Sequence, residues 1–196
     1  MARTVDPVHH EARRLAIIDA ALTCFAADGF DRTPTATICR TAGIGSGTFF
    51  HYFPTKLDVL LAILELGTHE TADWFEAQRG RRDPVGVILD YVARAADEGA
   101  DPRVGGFIRA VGGVMSDERV ATALAHDEVV LRDGLLPWVE AAQRSGGIRI
   151  DLPAVRVTDW IMVLLDGFLG RIAGEQFDPV AERDMLLDTA GRLIVP

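Results

Sequence analysis

The chain has 196 residues, enough to bury a sizeable core in one domain or two small ones. Its hydrophobic share of 48% and charged share of 25% are typical of a soluble globular protein. No apolar run reaches the ~18 residues of a membrane-spanning helix, and the polar N-terminus lacks the apolar core of a signal peptide. We therefore expect a cytoplasmic protein with no membrane partner.

The net charge of −9 is unevenly distributed along the chain. Residues 1–56 hold six basic and five acidic side chains, whereas residues 57–196 hold 14 basic and 24 acidic ones. Electrostatic attraction to phosphates is therefore favoured only in the N-terminal part. Because Lys56 is the only lysine, we expect modest non-specific affinity for nucleic acid.

The first predicted helix covers Glu11–Asp28 and ends at Gly29. Its apolar stripe includes Cys24, and Cys39 has a similar position in the next helix. A redox switch would need an exposed, reactive thiol, and nothing nearby suggests one, so the two cysteines are interpreted as small buried side chains.

The stretch from Thr33 to Lys56 predicts two short helices joined by a tight turn. Thr33 is a suitable N-cap residue, and Pro34 suits the first helical position because its missing N–H would be unpaired there. Gly43 provides the turn, and a second helix over Thr48–Phe53 is opened by Gly45-Ser46-Gly47 and ended by Pro54. This arrangement can place the second helix in the DNA major groove.

The residues of this stretch are more specific than a generic helix-turn-helix. They resemble the DNA-binding head of the TetR family of bacterial transcriptional regulators, and Arg14–Phe30 resembles the first helix of that family. The matching residues are Ala42, Gly43, Ile44, Gly47, Thr48, Phe49, Phe50, His51, Tyr52, Phe53, Thr55 and Lys56. Two positions depart from the family pattern: Gly45 replaces a capping Ser or Thr, and Phe50 replaces a common Tyr.

The resemblance implies that exposed side chains of the second helix touch bases or phosphates. It also implies that Lys56 contacts a phosphate, and Thr33 could offer a hydroxyl or N–H to one. The predicted DNA-binding residues are Thr33, Gly45, Ser46, Thr48, Phe49, Phe50, His51, Tyr52 and Lys56.

The rest of the chain shows helical periodicity and no strand pattern, which predicts an all-α fold. The predicted helices are Thr55–Gln78, Pro84–Glu98, Val104–Met115, a helix capped by Ser116 that runs to Arg144, Pro153–Gly174 and Asp184–Ile194. We expect a three-helix DNA-binding domain over residues 1–56 and a ligand-binding and dimerisation domain over residues 57–196.

The helix over Pro153–Gly174 is apolar nearly all round, so it must be buried on two sides. One side can face the domain core and the other a partner, and the resemblance implies a homodimer built on the last two helices. The predicted interface residues are Ile161, Leu164, Phe168, Gly170, Arg171, Met185 and Leu186.

An effector pocket is predicted beside the glycine-rich helix Val104–Met115, because low helix propensity suits a segment that shifts on binding. Its lining should be mainly apolar. The predicted ligand-binding residues are Trp74, Phe107, Met115, Trp138, Trp160 and Asp166. Glu65, His69 and Asp73 stand four residues apart on one helix and could bind a divalent metal, but this spacing is also ordinary on a solvated face.

Together these features predict a ligand-responsive repressor that binds a palindromic operator as a homodimer and is released by a small apolar molecule. No catalytic or cofactor motif is found, so we expect neither enzyme activity nor a cofactor. Two alternatives remain open: a non-specific DNA-binding protein, which the net charge disfavours, and a helical enzyme or small-molecule carrier with a vestigial head.

Overall fold

The computed structural model describes residues 7–174 and 176–195, which form nine helices and no strand. The all-α fold class is therefore confirmed. Within this part of the chain, no helix is long and apolar enough to cross a membrane. The helices are α1 (Pro7–Asp28), α2 (Thr35–Thr41), α3 (Ser46–Tyr52), α4 (Lys56–Ala77), α5 (Pro84–Gly99), α6 (Val104–Gly112), α7 (Glu118–Arg144), α8 (Ala154–Ile172) and α9 (Pro179–Ile194).

Several helix starts differ from the prediction, including that of α3, which begins at Ser46 and not at Thr48. Helix α1 begins at Pro7, four residues before the predicted Glu11. The N-cap of α7 is Asp117, not Ser116, because the Asp117 carboxylate accepts a hydrogen bond from the Arg119 N–H. Helix α9 begins five residues before the predicted Asp184, because Asp178 caps it and Pro179 fits its first turn.

The N-terminal core is formed by α1 to α4 together with parts of α6 and α7. Ile17 and Phe25 of α1 are fully buried, as are Ile38 of α2 and Leu60 of α4. Ala110, Val111 and Val120, from α6 and α7, belong to the same cluster. This core thus extends past residue 56, where the sequence places a domain boundary, and that boundary stays a prediction.

The C-terminal core lies between α5, α7, α8 and α9, with Phe75 at the end of α4. Phe75 stacks on Tyr91 with ring centroids 4.7 Å apart, and Trp74 meets the Tyr91 ring edge-on at 5.2 Å. Burial raises the pKa of Tyr91 to about 12. Helix α4 therefore contributes to both cores, one at each of its ends.

The start of α4 is fixed by a capping box. The Thr55 hydroxyl accepts from the Asp58 N–H, and the Asp58 carboxylate accepts from the Thr55 N–H at 2.8 Å. Thr55 was predicted as the N-cap, and this is confirmed. Only Phe53 and Pro54 separate the end of α3 from Thr55. The capping box therefore also sets the direction of the chain as it leaves α3.

Helix α6 passes between α1 and α8 at a distance that only glycine permits. A Cβ on Gly106 would lie 2.1 Å from the Ala26 carbonyl oxygen of α1. A Cβ on Gly105 would lie 2.5 Å from the Ile172 carbonyl oxygen of α8. Arg109 adds a hydrogen bond from Nη1 to the Ala173 carbonyl at 2.7 Å.

We predict opposite effects for the same substitution at two helical glycines. Gly106→Ala should lower the free energy of unfolding by ~1–3 kcal/mol, because the methyl group meets backbone that cannot move freely. Gly67→Ala, in the middle of α4 with open space around its Cβ position, should stabilise by ~0.5–1 kcal/mol through helix propensity. Urea denaturation of both variants checks this, and equal effects would contradict the close packing of α6.

Candidate nucleic-acid interface, pockets and dimer face

The turn between α2 and α3 is a Schellman motif. Gly43 has φ +64°, its N–H donates to the Arg40 carbonyl at 3.2 Å, and the Ile44 N–H donates to the Cys39 carbonyl at 2.9 Å. A side chain at Gly43 would be strained in this conformation. The turn therefore sets α3 at a defined angle to α2, as a helix-turn-helix requires.

Helix α3 presents a polar and aromatic face to solvent. Ser46, Thr48 and His51 are exposed, and so is Phe50, at 50% of its surface. Gly45 is the N-cap and makes no side-chain cap hydrogen bond. Tyr52 is half-buried against α1, with its ring 4.6 Å from that of His10.

The prediction that Phe49 faces DNA is wrong. Phe49 is fully buried, with its ring 6.1 Å from that of Phe53, and both belong to the N-terminal core. The spacing of four residues between Phe49 and Phe53 places them on one helix face and could have revealed this. The outward aromatic residue is Phe50.

The prediction that Thr33 caps α2 and offers a group to a phosphate is also wrong. Its side chain is fully buried, and its hydroxyl donates to the Gly29 carbonyl at 2.7 Å, with the Cys24 carbonyl at 3.2 Å. Its N–H donates to the Phe30 carbonyl. Helix α2 instead begins at Thr35 after Pro34, without a side-chain cap. Thr33 closes the loop after α1.

Lys56 holds the same loop against the start of α4. Its Nζ donates to the Phe30 carbonyl at 2.6 Å and lies 4.3 Å from the centroid of the Phe30 ring. The side chain is half-buried. A contact between Lys56 and a phosphate stays a prediction, and the ammonium already has a structural role in the free chain.

The four aromatic and methionine residues expected to line one effector cavity do not come together, so that prediction is wrong. Phe107 packs against the N-terminal core, and Met115 is 56% exposed. Trp138 borders a groove between α4 and α7, whereas Trp160 borders a different groove between α8 and α9. The sequence pattern identified large side chains but not their neighbours.

Trp74 and Asp166, the two other predicted ligand residues, line neither of these two grooves. Trp74 packs on Phe75 and Tyr91. Asp166 is exposed on α8, and partial desolvation together with the Glu128 and Asp127 carboxylates raises its pKa. The described residues contain no group of three or more His, Cys, Asp or Glu side chains arranged to hold a metal ion.

A pocket of ≈ 590 Å³ opens between the N-terminal parts of α4 and α7. We call it the α4–α7 cleft. Its walls include Leu61, Thr68, His69, Arg119, Ala123 and His126, with Glu65, Glu118 and Thr122 completing them. Glu65 and His69, which the sequence suggested as possible metal ligands, lie in its wall, but the cleft itself could not be predicted because its walls, residues 61–69 and 118–126, are far apart in the chain.

The predicted dimer residues divide into two groups. Ile161 is fully buried within the protomer's own core, so its assignment to a partner-contacting surface is wrong. Phe168 and Leu186 are also buried but line an apolar groove between α8 and α9, so their assignment stays a prediction. Gly170, Arg171 and Met185 are exposed, and Leu164 is half-buried. An apolar groove of ≈ 470 Å³ runs between α8 and α9, and Trp160, Val163, Gly167 and Met185 form much of its exposed wall. We call this surface the α8–α9 face.

The comparisons with known proteins agree with this architecture. Residues 17–63 match the model of the bacterial regulatory proteins of the tetR family. The chain is 25% identical to the HTH-type transcriptional repressor Rv1474c of Mycobacterium tuberculosis, over 87% of each chain.

Two solved structures share the fold. A TetR transcription regulator from Haloarcula marismortui superposes with a TM-score of 0.80 at 17% identity, over 93% of this chain and 96% of the other. The regulator FadR from Bacillus subtilis, in complex with stearoyl-CoA, superposes with a TM-score of 0.76 at 17% identity, over 90% and 96% of the two chains. The helix-turn-helix of α2 and α3 lies within the matched residues 17–63, so the N-terminal helices of the chain are similar to the tetR family of bacterial regulatory proteins, and the chain shares the fold of these solved regulators.

Proposed function

We propose that the protein is a homodimeric repressor that binds a two-fold symmetric operator and releases it when a small molecule binds. The observation that carries this proposal is the exposed face of α3, where Thr48, Phe50 and His51 stand clear of a fully packed head. A short helix with an outward methyl group, ring and imidazole can reach base edges in the major groove.

The charge distribution supports specific over non-specific binding. A protein that binds all DNA needs many phosphate contacts, and this chain carries one lysine and a net charge of −9. Affinity must then depend on contacts to a preferred sequence. The described relatives also include a repressor of similar length.

The α8–α9 face supports the dimer. Val163 and Met185 are more than half exposed, and they lie beside Trp160 on one apolar surface. Such a surface is costly to leave in water. A second copy of this chain would cover it and bring two heads to one operator, as two-fold symmetry requires.

Helix α4 is the proposed connection between effector and head. Its first turns lie in the N-terminal core, and Phe75 near its end lies in the C-terminal core. A ligand changes the position of the heads only if it binds one arrangement of α4 better than the other.

A test of the function uses the DNA upstream of the protein's own gene and a scrambled duplex, in gel shifts at several salt concentrations. A repressor should bind one preferred site. Binding everywhere would favour the non-specific alternative, and no binding would favour a carrier with a vestigial head.

Neighbouring phenylalanines of α3 should behave differently. Phe50→Ala and Thr48→Ala should each weaken operator binding by ~1–3 kcal/mol and leave binding to scrambled DNA almost unchanged. Phe49→Ala should lower the free energy of unfolding by ~3–5 kcal/mol, because it empties a core position. Duplex titrations and thermal denaturation separate these effects. A stable Phe49→Ala variant that loses only operator binding would contradict the orientation of α3.

Lys56→Ala should weaken binding to all sequences about equally and lower the salt slope by ~1 per head, because a phosphate contact reads no base. Thermal denaturation serves as its control, since the hydrogen bond to the Phe30 carbonyl is lost as well. Loss of operator binding alone would contradict the phosphate role.

Charge on the α8–α9 face should prevent dimerisation. Val163→Arg should sediment as a folded monomer, because burying a guanidinium in an apolar interface without a carboxylate to pair with costs too much free energy. Val155→Arg is the matched control, since Val155 is equally exposed on α8 but lies outside the groove. A dimeric Val163→Arg variant in sedimentation velocity would overturn the assignment.

A further inference from the structure

One side chain of the α4–α7 cleft is connected directly to the head. Arg119, in the first turn of α7, lines the cleft and also forms an ion pair with Asp58 through Nη2. Asp58 is the capping-box residue of α4, and its carboxylate also accepts from the Thr55 hydroxyl at 2.7 Å. The pair thus links the cleft to the turn that directly follows α3.

Arg119 has unused capacity to bind an anion. A guanidinium carries five N–H donors, and within the described part of the chain the Arg119 side chain donates only to Asp58, through Nη2. The side chain is 55% exposed, so its remaining donors are accessible. Because its present partner is a carboxylate, a second carboxylate entering the cleft would bind these free donors and weaken the hold of Asp58 on the guanidinium.

The other walls of the cleft fit the rest of such a molecule. Leu61 and Ala123 provide apolar surface, while His69 of α4 and His126 of α7 provide ring faces and N–H donors. Of the acidic residues, Glu65 lies 3.9 Å from Arg14 and so has a cation of its own. A volume of ≈ 590 Å³ lies within the range of small-molecule sites.

We propose that the α4–α7 cleft binds a small carboxylate with an apolar body, and that its carboxylate takes Arg119 from Asp58. Release of Asp58 frees the first turn of α4 from α7. Binding in the cleft is independent of the proposed repressor function, whereas the consequence for DNA rests on it. By thermodynamic linkage, a change at Asp58 that weakens the pair and leaves Arg119 in place must strengthen ligand binding.

Three probes of similar shape and different charge test the ligand class: benzoate, benzamide and benzylamine. Isothermal titration of the full chain should show binding of benzoate and little binding of the neutral or cationic probe. Preferential binding of benzylamine, which Glu65 and Glu118 would attract, overturns the proposal. If benzoate binds neither the wild type nor any variant, the proposal is overturned as well.

Two variants should change benzoate affinity in opposite directions. Arg119→Gln should weaken it about ten-fold or more, because a charge-assisted hydrogen bond is lost. Asp58→Asn should tighten it, because the competing carboxylate is gone while an oxygen remains to accept from the Thr55 N–H. Arg144→Gln, at the other end of α7, is the control and should leave it unchanged. Asp58→Asn without any gain in affinity would show that no competition exists.

A second variant that blocks the cleft is needed in case Arg119→Gln does not fold. Ala123→Phe fills the apolar wall without touching the ion pair and should abolish benzoate binding. An NMR titration adds an independent readout: Arg119 and Thr55 hold the pKa of the Asp58 carboxyl below its ordinary value, and saturating benzoate should raise it. An unchanged pKa with benzoate bound overturns the exchange of partners.

The operator provides the last arm of the experiment. Benzoate should weaken operator binding by the wild type and not by Arg119→Gln. If benzoate binds but operator affinity does not change, the coupling through Asp58 is wrong. If no operator is found, the proposed function fails, and the binding and pKa measurements still decide the cleft on their own.

Discussion

The passage of α6 between α1 and α8 is the constraint on which the arrangement of the two cores depends. Gly106 meets the backbone of α1, and Gly105 meets the backbone of α8. Both contacts are made by main chain, which cannot change rotamer to accommodate a shift. A displacement at the end of α8 must therefore move α6, and through it α1. Helix α4 provides a second connection, by its share in both apolar clusters.

The resemblance of the N-terminal helices to the TetR family and the order of the helices could be predicted from the sequence because local signals coincide there. Gly43 can adopt a positive φ without strain, Pro54 cannot continue a helix, and Thr55 with Asp58 forms a capping box. Each of these acts within a few residues of the chain. The start of α9 has signals of the same kind, in Asp178 and Pro179, and the predicted boundary was nevertheless five residues late because these signals were overlooked.

The candidate sites could be predicted only in part, because burial is decided by residues far away in the chain. Phe49 and Phe50 are adjacent and chemically identical, and the spacing between Phe49 and Phe53 is the one local signal of which ring the packing of α1 and α4 covers. Ile161 and Val163 present a similar problem on α8. An apolar helix shows that two sides are covered, but not which side faces the protomer's own core. The α4–α7 cleft itself could not be predicted, since no local pattern encodes empty space.

The position of Lys56 has a chemical consequence. The sequence contains no other lysine, and this amine lies against the Phe30 ring and carbonyl where three segments of the head meet. Acetylation there would remove the charge and with it the cation–π contact with the Phe30 ring, and would add bulk at a half-buried site. The side-chain amine chemistry of the whole chain is therefore concentrated at one atom, and its reactivity towards an acylating reagent would report whether the loop after α1 is closed on α4.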